Sequence, residues 1–282
     1  MTYRVVGSRG RFDLCAMKRP KIIVLAASSD IGAHLTEYFI RGGADVVGTY
    51  RNLSPSVEKL EKSGARLFPL DITSGEQVKS FATKLDECAF SWNILISAPA
   101  VLEPIGGFFS LDFDAWEESF ITNSTAQLRV LHAAYGLRDR SAPAKVVFFA
   151  GGGTNGPFDN YSAYCAGKLV LIKMTELLDS EYPDLQVSII GTGWVNTKIH
   201  RQTLAAGTAA GRNFDRTREF LDSEGAGATL ETVAECVDWC LSSPRSAVGG
   251  RNFSLVHDPW RQAKTIDELN ADPNLYKLRR LS

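Results

Sequence analysis

A chain of 282 residues, 44% apolar and 22% charged, has the size and composition of a globular protein with a sizeable core. Its formal net charge of -1 offers no whole-protein attraction for nucleic acid, and apolar runs such as 22–27 are too short to span a bilayer, so neither nucleic acid nor membrane is expected as a partner. The five cysteines, Cys15, Cys88, Cys165, Cys236 and Cys240, are odd in number, scattered and without zinc-site spacing, which favours a reducing cytoplasm and no metal.

Residues 1–16 show no periodicity and read as a tail before one domain over 17–260, with 261–282 as a C-terminal extension. Apolar, β-rich runs then alternate with helical patterns. Strand 21–27 precedes helix 31–41, strand 44–50 precedes helix 56–63, and strand 65–70 precedes helix 75–88. Strand 92–97 leads to a long helix over 113–135, and strand 144–150 to a helix over 160–181. After strand 185–191 comes a polar, Gly- and Arg-rich stretch to about 227, then helix 230–241 and strand 251–256. Crossovers of helical length require parallel strands, and near-continuous apolar strands imply helices on both faces. The fold class is therefore α/β, a single Rossmann-like doubly wound domain with a seven-stranded parallel sheet.

The first strand runs directly into Ala26-Ala27-Ser28-Ser29-Asp30-Ile31-Gly32 and an amphipathic helix. Free amides at a helix N-terminus, reached across small residues, suit the pyrophosphate of a dinucleotide. A plain strand-to-helix turn with Asp30 as the helix cap fits the same residues.

Tyr164-Cys165-Ala166-Gly167-Lys168 lies in the helix that follows the fifth strand. Four-residue spacing puts the phenol and the ammonium on one face. A nearby positive charge favours phenolate, so the tyrosine pKa is expected to fall toward the range useful for proton exchange with a substrate oxygen. Tyr161 lacks that spacing and is assigned to packing or the substrate rim. Cys165 has no base beside it and reads as a small filler. His34, His132, His200 and His257 are too dispersed for a metal site or a triad.

Taken in one register, these segments resemble the short-chain dehydrogenase/reductase family over about residues 21–256. The family's phosphate loop, Thr-Gly-x-x-x-Gly-x-Gly, matches Leu25, Ala26, Asp30 and Gly32, with only the last glycine kept. The resemblance implies an NAD(P)(H)-dependent oxidoreductase that often forms a homo-dimer or homo-tetramer through the helices following strands 4 and 5. The acidic residue by which NAD-preferring members hold the adenosine ribose is absent near Tyr50. Arg51 stands there instead and can pair with a 2'-phosphate, which favours NADP(H) over NAD(H), the other reading being a solvated strand-end charge.

Leu70-Asp71-Ile72-Thr73 resembles the segment that meets the adenine edge, although Asp71 or Thr73 could equally cap the next helix. Ser97-Ala98-Pro99-Ala100 stands where the family has Asn-Asn-Ala-Gly. Asn123 matches the helix asparagine that supports a water-mediated relay to the lysine, and Lys168 itself would hold the nicotinamide ribose. Gly191-Thr192-Gly193-Trp194-Val195-Asn196-Thr197 matches the loop in which Gly193, Val195 and Thr197 face the nicotinamide. Thirteen residues before Tyr164, where the family carries a catalytic serine, stands Gly151. Thr154, Asn155 or backbone amides of the Gly-rich turn are the candidate replacement donors.

Residues 198–228 form the expected substrate lid, where Lys198, His200, Arg201, Arg212, Arg216 and Arg218 outnumber Asp215 and Glu219. His200 and Arg201 are the candidate substrate contacts. The surplus suits an anionic substrate such as a nucleotide sugar. Arg279-Arg280, with His257-Asp258-Pro259-Trp260, resembles family members associated with polysaccharide biosynthesis. A solvated helical lid explains the same charges. Three functions stay open: a carbonyl/alcohol oxidoreductase, which leads; an epimerase or dehydratase with retained cofactor; and a non-catalytic cofactor-binding regulator.

Overall fold

The computed structural model describes residues 19–223 and 225–280; the tail expected over 1–16 lies outside them. Strands β1 (Lys21–Leu25), β2 (Asp45–Tyr50), β3 (Arg66–Pro69), β4 (Ile94–Ser97), β5 (Ala144–Phe149), β6 (Leu185–Gly191) and β7 (Asn252–Ser254) form one sheet. Its order is β3-β2-β1-β4-β5-β6-β7, and every neighbouring pair is parallel. The order reverses between β1 and β4, which opens a crevice at the strand C-termini.

Alternate strand residues feed two cores. Ile22, Val24, Ile94 and Ile96 face one layer of helices: α1 (Asp30–Arg41) and α2 (Pro55–Lys62), later joined by α9 (Leu230–Ser242), α10 (Arg245–Val248) and α11 (Thr265–Ala271). Ile23, Leu25, Leu95 and Val146 face the other: α3 (Gly75–Glu87), α5 (Thr125–Ala134) and α6 (Ser162–Glu181), with α4 (Phe113–Asn123) packed on α6. Burial on both faces explains why the strands carry almost no polar alternation. The fold is α/β and Rossmann-like, as expected.

The single long helix expected over 113–135 is two. Asn123 turns its amide out of α4 to hold the main chain of Val101, donating to its carbonyl at 2.7 Å and accepting from its N–H at 3.2 Å. Ser124 follows with φ -139° and ψ -93°, and its hydroxyl bonds back to the Phe120 carbonyl. Such back-bonding competes with the helical ladder. The lid stretch is also helical, with α7 (His200–Ala206) and α8 (Arg212–Asp222). The C-terminal extension is tied to the sheet edge: Arg251, buried, donates to the carbonyls of Leu269, Asp272 and Leu275, and Asn252 N–H to that of Tyr276.

Candidate active site

A cleft of about 960 Å³ opens over the C-terminal ends of the strands. At its β1 end, Ala26 takes the left-handed conformation, φ 55°, at a cost of about 1 kcal/mol for an alanine. Its carbonyl accepts from Ser29 N–H, and Ser29 caps α1 by accepting from Gly32 N–H at 3.0 Å. A Cβ at Gly32 would stand 2.2 Å from the Ala26 carbonyl oxygen, so this glycine is what lets the helix begin so close to the loop. The amides of Asp30 and Ile31, in the first turn of α1, precede the first intrahelical bond and border the cleft beside Ser28 and Ser29. Gly32 is buried and does not line the cleft.

Asp30 is not the cap. Its carboxylate turns aside and accepts from Lys198 N–H at 2.6 Å, while the Lys198 ammonium donates to the Ser28 carbonyl at 2.8 Å. The negative charge at the middle-glycine position is thereby held by Lys198. Sequence reasoning counted Lys198 only as a lid charge; its contact spans 168 positions, and no local signal marks it.

Farther along, Arg51 is exposed at the cleft edge. Asp71 accepts from Thr73 N–H at 2.9 Å and from its hydroxyl at 2.7 Å. Burial raises that carboxyl, but the Thr73 bonds and the Arg51 charge outweigh it and hold the group below its ordinary range. Ser74, rather than Asp71 or Thr73, caps α3. Ile72 and Ala98 line the cleft, whereas Ser97 is fully buried and donates to Gln127 Oε1 at 2.7 Å, so its expected contact is not made by the side chain. Gln127, missed from the sequence, also donates to the Pro99 carbonyl at 3.1 Å.

That carbonyl receives the Lys168 ammonium as well, at 3.2 Å. Lys168 is 2% exposed, and burial lowers its pKa to about 7. Tyr164 borders the cleft at 9% exposure. Burial first, then the neighbouring Cys165, pushes its phenol well above the ordinary tyrosine value. The expected lowering by the ammonium is overturned, because the nitrogen stands 6.0 Å from the ring centroid and both groups have left water. Asn123 hydrogen-bonds neither; its amide is spent on Val101 and Ser119, making it a residue that positions the loop carrying Pro99. Gly167 allows this packing, since a Cβ there would meet that of Asn123 at 2.7 Å.

The turn after β5 carries Gly151, the position expected to match the family's serine. Thr154 donates its hydroxyl to the Gly151 carbonyl at 3.3 Å, and Asn155 is exposed on the cleft rim. Cys165 is raised to about 11 by burial, as a filler should be. Tyr161 is fully buried, stacks on Phe158 and bonds Thr203, which assigns it to packing.

Gly193, Val195 and Thr197, in the loop after β6, also line the cleft. His200 lines it too, but Nε2 donates to the Val195 carbonyl at 2.9 Å and the ring stacks on Trp194, so it braces the loop. Arg201 falls on the other side of α7 and borders a shallow groove with His34 and Glu37, not the cleft. Arg212 pairs with Asp159 and Arg218 with Asp215. Among the described residues, Arg216 lines the cleft with no carboxylate partner.

The donor set fits a dinucleotide: free amides and small residues after β1, a cation at the end of β2, and a buried lysine on α6 that reaches the loop after β4. A family model described as short chain dehydrogenase matches residues 20–206. The 2-(S)-hydroxypropyl-CoM dehydrogenase 3 of Xanthobacter autotrophicus is 23% identical over 248 residues, covering 85% of this chain and 96% of that one. An NAD-dependent glycerol dehydrogenase of Listeria innocua is 21% identical, covering 83% and 91%. A short chain dehydrogenase/reductase structure from Saccharomyces cerevisiae superposes with a TM-score of 0.76 at 19% identity, covering 85% and 97%. The chain belongs to the short chain dehydrogenase family, whose oxidoreductases use NAD(P)(H).

Proposed function

We propose that this protein moves hydride between NADP(H) and a carbonyl/alcohol substrate that carries an anionic group. The observation that carries the reading is Tyr164 and Lys168 lining, from one turn of α6, the same cleft as the Gly193–Thr197 loop. When bound, the nicotinamide supplies or accepts the hydride. Ser28, Ser29 and the first amides of α1 hold its pyrophosphate, Asp71 and Ile72 the adenine edge, Lys168 the ribose and Thr197 the carboxamide. Tyr164 gives its proton to the substrate oxygen in reduction and takes it back in oxidation. Lys168, with a pKa of about 7, exchanges protons readily at neutral pH.

Arg51 supports NADP(H), although one relative is NAD-dependent by name. Fluorescence titration should show tighter binding of NADPH than NADH, and Arg51→Ala should shrink that ratio about tenfold, as loss of a charge-assisted phosphate contact does. An unchanged ratio sinks the assignment. Arg216 supports the anionic substrate, while a role in polysaccharide biosynthesis rests on the resemblance carried by Arg279-Arg280 and His257-Asp258-Pro259-Trp260. A panel of ketones and nucleotide sugars, read at the NADPH absorbance, tests both. Hydride exchange without net cofactor consumption would indicate an epimerase, and intact binding without turnover a regulator. The unpaired cysteines among the described residues support the cytoplasm. The aromatic residues of the turn before α4 and of its first position, with Phe109 99% and Phe113 59% exposed, support a homo-oligomer; sedimentation of wild type and Phe109→Glu tests it, with dissociation expected in the variant.

A further inference from the structure

Gly151 does more than omit a hydroxyl. A Cβ built on it would stand 2.3 Å from the Tyr164 phenol oxygen, 2.4 Å from Cζ and 2.5 Å from Cε1. The next two glycines are pressed in the same way. A Cβ on Gly152 would meet Phe158 at 3.2 Å, and one on Gly153, which has φ +91°, would meet Cys165 Sγ at 2.7 Å. Three consecutive positions without side chains thus let the turn after β5 lie flat against residues 158–165 at the head of α6. The space a side chain at position 151 would need is filled by the phenol. Thr154, the nearest hydroxyl in the turn, points its proton at the Gly151 carbonyl.

We propose that Gly151 is a positioning residue that seats Tyr164 in the space of the missing serine side chain, so that one phenol both hydrogen-bonds the substrate oxygen and transfers the proton. The inference rests on the reductase reading above. In reduction, hydride from NADPH forms the new C–H bond, and the carbonyl π pair moves to oxygen. That oxygen takes the phenol proton through the hydrogen bond already made, and NADP is released oxidised. The phenolate recovers a proton from the Lys168 ammonium or from solvent. No second side-chain hydroxyl is required at the oxygen.

The test is the restoration of serine. Gly151→Ser is expected to lower kcat about 100-fold by displacing the phenol, with the NADPH dissociation constant held within about threefold. Asn155→Ala is expected to keep at least about a tenth of the turnover. A Gly151→Ser enzyme as active as wild type, or an Asn155→Ala loss as deep as that of Tyr164→Phe, overturns the proposal. Melting temperatures of Gly151→Ala, Tyr164→Ala and the double variant give a readout independent of turnover. Gly151→Ala should lower the melting temperature of the wild type and leave that of Tyr164→Ala unchanged, whereas additive losses would overturn the packing claim. Wild type without turnover on any carbonyl would sink the reductase reading, while the melting cycle would still decide whether Gly151 seats the phenol.

Discussion

The two ends of the cleft are made of different material. At the β1 end the groups assigned to the cofactor are main-chain on the proposed function: a left-handed Ala26, a carbonyl, and the first amides of α1. At the α6 end they are two side chains taken almost wholly out of water, Tyr164 and Lys168. On the proposed function, the difference bears on which departures from the family pattern the cleft tolerates. A loop that works through its backbone keeps its shape with alanine for glycine, at about 1 kcal/mol, and accepts Asp30 once Lys198 draws the carboxylate aside. On the proposed function the proton has to be moved by side chains, which fits the presence of the phenol and the amine although position 151 is glycine.

The largest effect should come from removing the side-chain end. Tyr164→Phe is expected to cost about 10²- to 10⁴-fold in kcat, the usual worth of a positioned acid/base, with cofactor binding within about twofold of wild type. A small loss would mean that the side-chain end is not where the chemistry lies. Lys168→Met tests the same end through stability. The lysine pKa is about 7 when folded, against about 10.4 unfolded. Between those values the unfolded chain holds more protons, so wild-type stability rises with pH across that window and is lowest below it. The variant is freed of that cost. Its melting temperature should exceed that of wild type at pH 6, by the equivalent of a few kcal/mol, and the gap should close toward about pH 10. The Pro99 carbonyl keeps Gln127 as a donor, so no acceptor is stranded. A variant less stable at pH 6 would show that the buried amine is not strained.

Much of this was legible in the sequence, and the reasons differ by element. The seven strands announce themselves through unbroken apolar runs, because a parallel sheet is covered on both sides. Tyr164 and Lys168 are readable because four-residue spacing is a local property of a helix. The break at Ser124 is not local: apolar periodicity continues through it, and it answers to the grip of Asn123 on Val101, 22 positions away. Arg201 was misplaced because its direction depends on where α7 begins, and one residue of phase turns it from the cleft to the outer groove. Ser97 stands at a strand end that faces the cofactor in sequence order, yet it belongs to Gln127. The position of Gly151 was readable; the phenol lying against it was not.

Within the backbone-built end, Gly32 and Lys198 should separate cleanly. Gly32→Ala drives a Cβ into the Ala26 carbonyl and to 2.8 Å from Ser29 Oγ, neither of which can retreat without moving the loop. Stability should fall by about 1–3 kcal/mol, as overpacking does, and NADPH affinity by at least about tenfold.

Lys198→Ala should have the smallest effect. It removes the bond to the Ser28 carbonyl and the 4.0 Å ion pair with Asp30, but leaves the main-chain bond from residue 198 to the Asp30 carboxylate. Half-exposed charges contribute little to folding, so the melting temperature should hold. NADPH affinity should weaken about threefold, and less at high salt, since the lost cation would act on the pyrophosphate mainly through screened attraction. Titration of both variants at low and high salt decides the matter. If Lys198→Ala weakens NADPH as much as Gly32→Ala does, side chains also hold the phosphate end, and the contrast between the two ends of the cleft fails.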